Sequence, residues 1–173
     1  MNALKTVAEL MEVAARTAPK THGDDYIVTK TIEGDDVRAL GEAMMAHGEK
    51  RGETDPRHGY LRDGRNTRDS DIVVLIGIKD AAAPGFNCGA CGEETCLKIN
   101  TLDADFQGPQ CLFRVLDMGI ALGSAVKMAG IMNVDNRIMY RTGLVAREAG
   151  YIDADYVMGI PMSSRGKSIY FDR

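Results

Sequence analysis

An uninterrupted apolar run, DIVVLIGI, occupies residues 71–78. Strands that read as continuous Val, Ile and Leu, rather than as alternating apolar and polar residues, are typically covered on both faces. A chain with such a strand must therefore supply other elements to cover it. The run predicts the centre of a sheet.

The residues before this run predict a helix, a strand and a second helix. Apolar positions with helical spacing begin at Leu4, and Pro19 ends the helix. The sequence DYIVTKTIE is alternating and β-branched, which predicts a strand over residues 26–32. Gly34 and Asp35 then offer a cap for a second helix. Its apolar face is formed by Val37, Leu40, Met44 and Gly48.

Two stretches on either side of the cysteines have contrasting patterns. Residues 49–70 are polar and rich in Gly and Asp, which predicts a long surface loop with little structure of its own. Residues 111–132 predict a buried helix. Its Gly119, Gly123 and Ser124 offer a small-residue surface, which we interpret as a place where another helix packs closely.

The last part of the chain predicts one more helix and one more strand. Asp135 or Asn136 is expected to cap the helix, which ends at Gly150, and residues 154–162 predict the strand. The apolar positions of this helix are Met139, Leu144 and Val145. No repeat or linker interrupts the pattern, so we expect one α+β domain over residues 1–173.

Composition excludes several classes of protein. The 173 residues carry a formal charge of −4, and Lys and Arg are scattered rather than gathered into a stripe, so nothing indicates nucleic-acid binding. No apolar run is long enough to span a bilayer, and the first residues are amphipathic with acids among them, unlike a signal peptide. We therefore expect a cytoplasmic protein with no membrane partner.

The four cysteines have the spacing of an iron–sulfur site. Cys88, Cys91 and Cys96 lie within nine residues, and fourteen residues separate Cys96 from Cys111. All four belong to a cysteine-rich segment, residues 84–111, that follows the apolar run. A [4Fe–4S] cluster takes one thiolate at each of four irons, which matches this number of cysteines. Four nearby glycines allow sharp turns that direct backbone N–H groups at the cluster sulfurs. They are Gly85, Gly89, Gly92 and Gly108.

Other interpretations of the cysteines stay open. Four thiolates can hold a structural zinc ion, although zinc ribbons usually present two short Cys-x-x-Cys pairs. Cys88 and Cys91 alone resemble a redox dithiol, which leaves Cys96 and Cys111 unexplained. Buried free thiols in a turn are the third alternative. In a reducing cytoplasm, disulfides are the least expected outcome.

Two resemblances to known families follow from these motifs. PGFNCGACGEETCLKI, with a later cysteine, is similar to the four-cysteine [4Fe–4S] motif of the corrinoid iron–sulfur protein and of iron–sulfur subunits in membrane electron-transport complexes. The resemblance implies that Cys88, Cys91, Cys96 and Cys111 ligate such a cluster. Together with DMGIALGSA, VDNRIMYRTG and GIPMSSRGKSIYFDR, the motif resembles an uncharacterised prokaryotic family of ferredoxin-domain-containing proteins.

The order of elements resembles that of FMN-dependent nitroreductases. EVAARTAPKTHGDDYIV is similar to their Ala-Pro turn before the first strand, and VMGIPMSSRGK to their last strand and basic tail. The resemblance implies a sheet flanked by helices, with the Cys-rich loop inserted, and a homodimer with FMN at its interface. The Arg-rich start of that family is missing, Lys20 stands where it has Ser, and Gly23 where it has Asn. Candidate FMN contacts are Arg16, Lys20, His22, Arg165 and Lys167.

These observations predict a [4Fe–4S] redox protein that transfers electrons. Its partner would be a redox protein or a small-molecule electron acceptor. The first alternative is an iron–sulfur flavoenzyme, an FMN-dependent oxidoreductase. The second is a module whose metal, zinc for example, is purely structural. No residue of the sequence stands out as a catalytic acid, base or nucleophile.

Overall fold

A four-stranded antiparallel sheet lies at the centre of the protein, and its strands follow one another across the sheet in the order Ile27–Glu33, Ile72–Ile78, Tyr156–Ser163 and Asp135–Asn136. The structure is a computed structural model that describes residues 2–98 and 102–171. Within these residues the helices are α1 (Asn2–Thr17), α2 (Asp35–Lys50), α3 (Gly59–Arg68), α4 (Leu112–Ile131) and α5 (Tyr140–Glu148). The strands are β1 (Ile27–Glu33), β2 (Ile72–Ile78), β3 (Leu102–Asp103), β4 (Gln107–Gly108), β5 (Asp135–Asn136) and β6 (Tyr156–Ser163).

Strand β2 is the buried centre of the sheet, as the apolar run predicts. All seven of its residues are buried. It pairs with β1 on one side and with β6 on the other, from Ile72 opposite Met162 to Ile78 opposite Tyr156. Because successive side chains of a strand point to opposite faces, β2 contributes to two separate cores.

One core joins the sheet to α1 and α4. Alternate β2 residues, Val74 and Ile76 among them, pack there with apolar side chains of both helices. The predicted helical face of α1 is buried, and Pro19 follows two residues after its end. Helix α4 is the longest in the described part of the chain at 20 residues. None of the helices found in residues 2–98 and 102–171 is long and apolar enough to cross a membrane.

The opposite core joins the sheet to α2 and α5. Val73 and Leu75 of β2 pack there with Leu40 and Met44 of α2 and with Leu144 of α5. The predicted apolar face of α2 is confirmed, since all four of its residues are buried. The result is a sheet with helices on both faces, which confirms the predicted α+β class.

The prediction of a loop over residues 49–70 is wrong, because α3 forms there. Its buried face includes polar residues, which hides the usual apolar periodicity. Asp63 is only 3% exposed and is bound by Arg62 and Arg141. Glu53 accepts hydrogen bonds from the first amides of α3, Tyr60 N at 2.6 Å and Leu61 N at 3.2 Å. A carboxylate at a helix N-terminus is stabilising.

Two predictions about the second half of the chain are also wrong. Asp135 and Asn136 do not cap a helix; they form β5 and pair with Ser163 and Met162. Helix α5 begins only at Tyr140, with no side-chain cap. Helix α4 forms as expected, but Gly119 and Gly123 are exposed. No atom of the described residues lies within 4 Å of the place that a Cβ would take at either glycine, so the predicted helix packing is not found within these residues.

Candidate cofactor site

All four cysteines line one pocket at the end of the sheet where β2 finishes. The first three lie on the loop that follows β2, and Cys111 directly precedes α4. Cys88 and Cys91 are exposed, Cys96 is half-buried, and Cys111 is buried. All four are free thiols. Because they line one pocket, the structure brings together the four predicted ligands of the segment 84–111.

The loop around the first three cysteines is shaped by backbone turns and closed by Asn87. Its left-handed positions include Gly89, with φ of 68°, and Asn87, with φ of 47°. The Asn87 amide donates to Cys96 Sγ at 3.2 Å, and the Cys96 amide donates to Asn87 Oδ1 at 2.9 Å. An N–H group therefore already points at one of the four sulfurs, which is the type of contact that tunes an iron–sulfur cluster. Gly108 instead lies in β4 with an ordinary φ.

The donor set fits an iron–sulfur cluster in number and type. Each iron of a [4Fe–4S] cluster takes one thiolate, so the sulfurs need to surround a volume rather than meet at a point. Within the described residues, no three side chains of His, Cys, Asp or Glu converge on the position of a single ion. The four thiols thus line one pocket without meeting at one point.

Aromatic side chains form one wall of this pocket. Phe86 packs edge-on against Phe113, with ring centroids 5.3 Å apart, and both line the pocket. His22 also packs edge-on against Phe86, with ring centroids 4.8 Å apart. His22 belongs to a short turn, Thr21–Gly23, that follows α1. This turn therefore adjoins the cysteine pocket.

A buried arginine, Arg114, connects that turn to α4, and nothing in the sequence singles it out. Arg114 is 1% exposed. It binds Asp24 at 2.8 Å and Asp117 at 3.2 Å. Burial disfavours its charge, but the hydrogen bonds to these two carboxylates raise the pKa of Arg114 above its ordinary value. Asp117 in turn accepts hydrogen bonds from Thr21 N and Thr21 Oγ1, both at 2.8 Å.

The chain between Cys96 and Cys111 includes a short hairpin, β3–β4, which no pattern in the sequence indicates. Its turn carries Phe106, which is 9% exposed and packs against Tyr140 and Tyr156. Asp105 accepts hydrogen bonds from Arg51 and from the Tyr140 hydroxyl, each at 2.8 Å. A second ion pair joins Asp103 to Arg147. The hairpin is therefore anchored on α5, a few residues before Cys111.

The five candidate FMN contacts lie in two groups. Arg16 and Lys20 lie with His22 near the start of β1, and Arg165 and Lys167 follow β6 at the opposite end of the sheet. A strand of seven residues is about 20 Å long, so the two groups are well separated within one chain.

Most of these basic side chains already have partners. Arg16 Nη1 binds Asp25 Oδ2 at 2.6 Å and the Ile27 carbonyl at 2.5 Å. Asp25 also accepts a hydrogen bond from the Ile27 amide. Although partial burial opposes ionisation of Asp25, the hydrogen bonds from Arg16 and from this amide hold the pKa of Asp25 below its ordinary value. Lys20 donates to carbonyls at the end of α1, such as Arg16 O at 2.6 Å. Arg165 donates to the Asp69 carbonyl at 2.8 Å.

Several solved structures with a similar fold are nitroreductases. An FMN-dependent nitroreductase from Mycobacterium smegmatis, in complex with NADPH, has a TM-score of 0.60 and 12% sequence identity, over 94% of this chain and 78% of that one. A nitroreductase with bound FMN from Desulfitobacterium hafniense also has a TM-score of 0.60 and 12% identity, over 94% and 79% of the two chains. The fold and the pocket thus define a nitroreductase-like α+β protein with an inserted four-cysteine loop.

Sequence relatives give the family. Residues 107–173 match the family described as "Uncharacterized protein containing a ferredoxin domain (DUF2148)". An uncharacterised protein from Archaeoglobus fulgidus is 44% identical over 175 residues, which cover 98% of this chain and 91% of the relative. The chain belongs to this ferredoxin-domain family. The matched residues include Cys111, whereas the other three cysteines precede them.

Proposed function

We propose that the protein binds a [4Fe–4S] cluster through Cys88, Cys91, Cys96 and Cys111 and transfers single electrons. The observation that carries this proposal is that all four cysteines of the chain line one pocket. When bound, such a cluster supplies one-electron redox chemistry. The ferredoxin-domain family to which the chain belongs supports the same conclusion.

The residues around the pocket have distinct roles in this proposal. Three thiolates come from the loop after β2, and Cys111 comes from the start of α4, where the helix dipole favours negative charge. Asn87 holds the loop closed through both of its contacts with Cys96. Phe86 and Phe113 form an aromatic wall on one side. The exposed cysteines leave the opposite side accessible to a redox partner protein or a small-molecule electron acceptor.

Single cysteine replacements test the ligand set. Each of Cys88→Ser, Cys91→Ser, Cys96→Ser and Cys111→Ser is expected to lower the iron bound after anaerobic reconstitution and to alter the electron paramagnetic resonance spectrum of the reduced protein, since four irons need four thiolates. Thr95→Ser is a matched control, because Thr95 also lines the pocket but supplies no thiol. Full iron content in any one of the four cysteine variants would remove that residue from the ligand set.

An iron–sulfur flavoenzyme is the second candidate function, supported by the nitroreductase-like fold and by the FMN bound in several such structures. In this version, FMN lies between two subunits and exchanges electrons with the cluster. Because the two groups of basic residues are far apart in one chain, both groups can contact one flavin only if two subunits contribute. His22, beside the cysteine pocket, is the candidate closest to the proposed cluster site.

Flavin reconstitution separates the two functions. The flavoenzyme hypothesis expects stoichiometric FMN after incubation and desalting, and weaker FMN retention in Arg165→Ala or Lys20→Ala. Lys30→Ala is the control, since Lys30 is an exposed residue within β1. A protein that binds iron but retains no FMN would contradict the flavoenzyme hypothesis and support electron transfer by the cluster alone.

A purely structural metal is the remaining alternative, with zinc as the metal. It is distinguished by what happens when one ligand is lost. For a redox cluster, Cys88→Ser abolishes the redox signal and leaves the fold intact, because Cys88 is on an exposed loop outside both apolar cores. For a structural metal, the same replacement unfolds the domain.

We further propose that the protein is a homodimer and is cytoplasmic. Leu112, Leu116 and Ile120 form an exposed apolar stripe on α4 at a spacing of four residues, and each side chain is at least 40% exposed. Gly119 and Gly123 leave open space beside this stripe. Exposed contiguous apolar patches often mark protein–protein interaction sites. A reducing compartment such as the cytoplasm suits four free thiols.

A further inference from the structure

We propose that Arg114 is a positioning residue that holds Cys111 in place relative to the other three cysteines. This inference rests on the cluster function proposed above. Arg114 lies three residues after Cys111, in the first turn of α4. Its guanidinium reaches out of the helix to the segments that precede the cysteines.

The guanidinium connects three segments of the chain. Arg114 Nε donates to the Ala82 carbonyl at 2.7 Å, and the neighbouring Ala83 lines the cysteine pocket. Nη1 donates to the Thr21 carbonyl at 3.1 Å, and Nη2 to Asp24 Oδ2 at 2.8 Å. Asp117 accepts from Nη1 within α4 itself. One side chain thus joins the entry to the cysteine loop, the turn beside Phe86, and the helix that follows Cys111.

The site requires an arginine rather than any cation. The planar guanidinium presents several donors in a fixed fork, whereas a lysine ammonium is a compact point charge that cannot reach such separated acceptors at once. The ring of Tyr26 lies 4.7 Å below the guanidinium carbon and favours the same planar group. Because the side chain is 1% exposed, no water replaces a lost partner readily.

The position of Cys111 depends on these contacts more directly than that of the other ligands. Cys88 and Cys91 are on an exposed turn, whereas Cys111 is buried at the junction that Arg114 holds closed. Loss of the contacts to Ala82 and Asp24 would free the first turn of α4 from the loop entry. Opening of that junction exposes the Cys111 thiol and moves it away from the pocket.

Thiol alkylation of the metal-free protein tests this inference without a cluster. The full chain is treated with iodoacetamide under anaerobic, reducing conditions, and the modification of each cysteine is followed by peptide mass spectrometry. In Arg114→Lys we expect Cys111 to react about tenfold faster than in the wild type, because lost hydrogen bonds to a charged group favour local opening. Cys88 and Cys91, already exposed, keep their rates.

A matched variant controls for general loosening of the structure. Arg62→Lys replaces another arginine that binds a buried carboxylate, that of Asp63. The Arg62 side chain is 14% exposed, and both residues are in α3, away from the cysteines. Arg62→Lys should leave the Cys111 rate unchanged, with every measurement made well below each variant's unfolding transition. An unchanged Cys111 rate in Arg114→Lys, or an equal acceleration in Arg62→Lys, would overturn the inference.

Two additions keep the test decisive. If Arg114→Lys does not fold, Asp24→Asn replaces it, since the Asp24 side chain is 46% exposed and tolerates the change. Cys111 is then expected to react about threefold faster than in the wild type, because only one of the contacts of Arg114 is weakened.

Reconstitution with iron and sulfide is measured in parallel, and Arg114→Lys should hold less iron than the wild type. A wild type that takes up no iron contradicts the cluster proposal, while the Cys111 rate still decides the role of Arg114.

Discussion

The hydrogen bond between Tyr140 and Asp105, at the hairpin β3–β4, makes the stability of the fold depend on pH. Partial burial and the hydrogen bond to Asp105 raise the pKa of Tyr140 to about 12. In the unfolded chain a tyrosine ionises near pH 10. Between these two values the unfolded state binds fewer protons than the folded state, so this residue makes stability fall as pH rises. Below pH 10 its contribution is fully present.

Tyr140→Phe tests this effect, because it removes the ionising hydroxyl and keeps the ring against Phe106. We expect the free energy of unfolding to decline less steeply between pH 10 and 12 in the variant than in the wild type, and the two slopes to agree below pH 9. Urea unfolding at a series of pH values gives both slopes. Identical slopes over the whole range would show that the Tyr140–Asp105 contact does not persist in solution.

At the scale of elements, the hairpin β3–β4 holds the chain that leads to Cys111. Phe106→Ala should release it from α5, since Phe106 is its one deeply buried apolar anchor in the described residues, and truncating a buried Phe typically costs 3–5 kcal/mol. Cleavage by a nonspecific protease within residues 102–110 should therefore be faster. Leu102→Ala is the control, because Leu102 is on the same hairpin but is 62% exposed. Equal cleavage of both variants would mean that Phe106 is not the anchor.

Elements with a strong apolar signal were predictable, and those held by polar contacts were not. The continuous run of β2 and the apolar faces of α1 and α2 gave their positions directly. The sequence does not indicate helix α3, because the buried face of this helix includes the charged residue Asp63. Asp63 is bound by Arg62, its neighbour in sequence, and by Arg141, which is 78 residues away. The hairpin β3–β4 was missed because its strands are two residues long and are fixed by contacts with α5.

The candidate site was predictable in its donors but not in its support. Cysteine spacing identified all four thiols that line the pocket. Arg114 carried no signal, because a charged residue on a largely apolar helix gives no indication of a partner 90 residues away in sequence. The spread of the five basic residues to two ends of the sheet likewise follows only from strand pairing.

At the scale of the whole molecule, the exposed apolar stripe on α4 offers a test of the proposed homodimer. Leu116 is the central residue of this stripe and is 51% exposed. If a second copy covers the stripe, Leu116→Lys places a charge in a buried interface and should yield monomers. Sedimentation velocity is expected to give twice the 18.8 kDa chain mass for the wild type and the single mass for the variant. Leu102→Lys, on the exposed hairpin, should remain dimeric; a monomeric wild type would contradict the assembly.

Metal content of the anaerobically prepared protein tests the central claim most directly. Iron, acid-labile sulfide and zinc are measured on one sample of the wild type and on Cys88→Ser, after reconstitution under identical conditions. A four-thiolate cluster site predicts about four irons and four sulfides per wild-type chain, with a clear loss of both in the variant. A colourless wild type that holds one zinc per chain and no iron would contradict the proposed redox function.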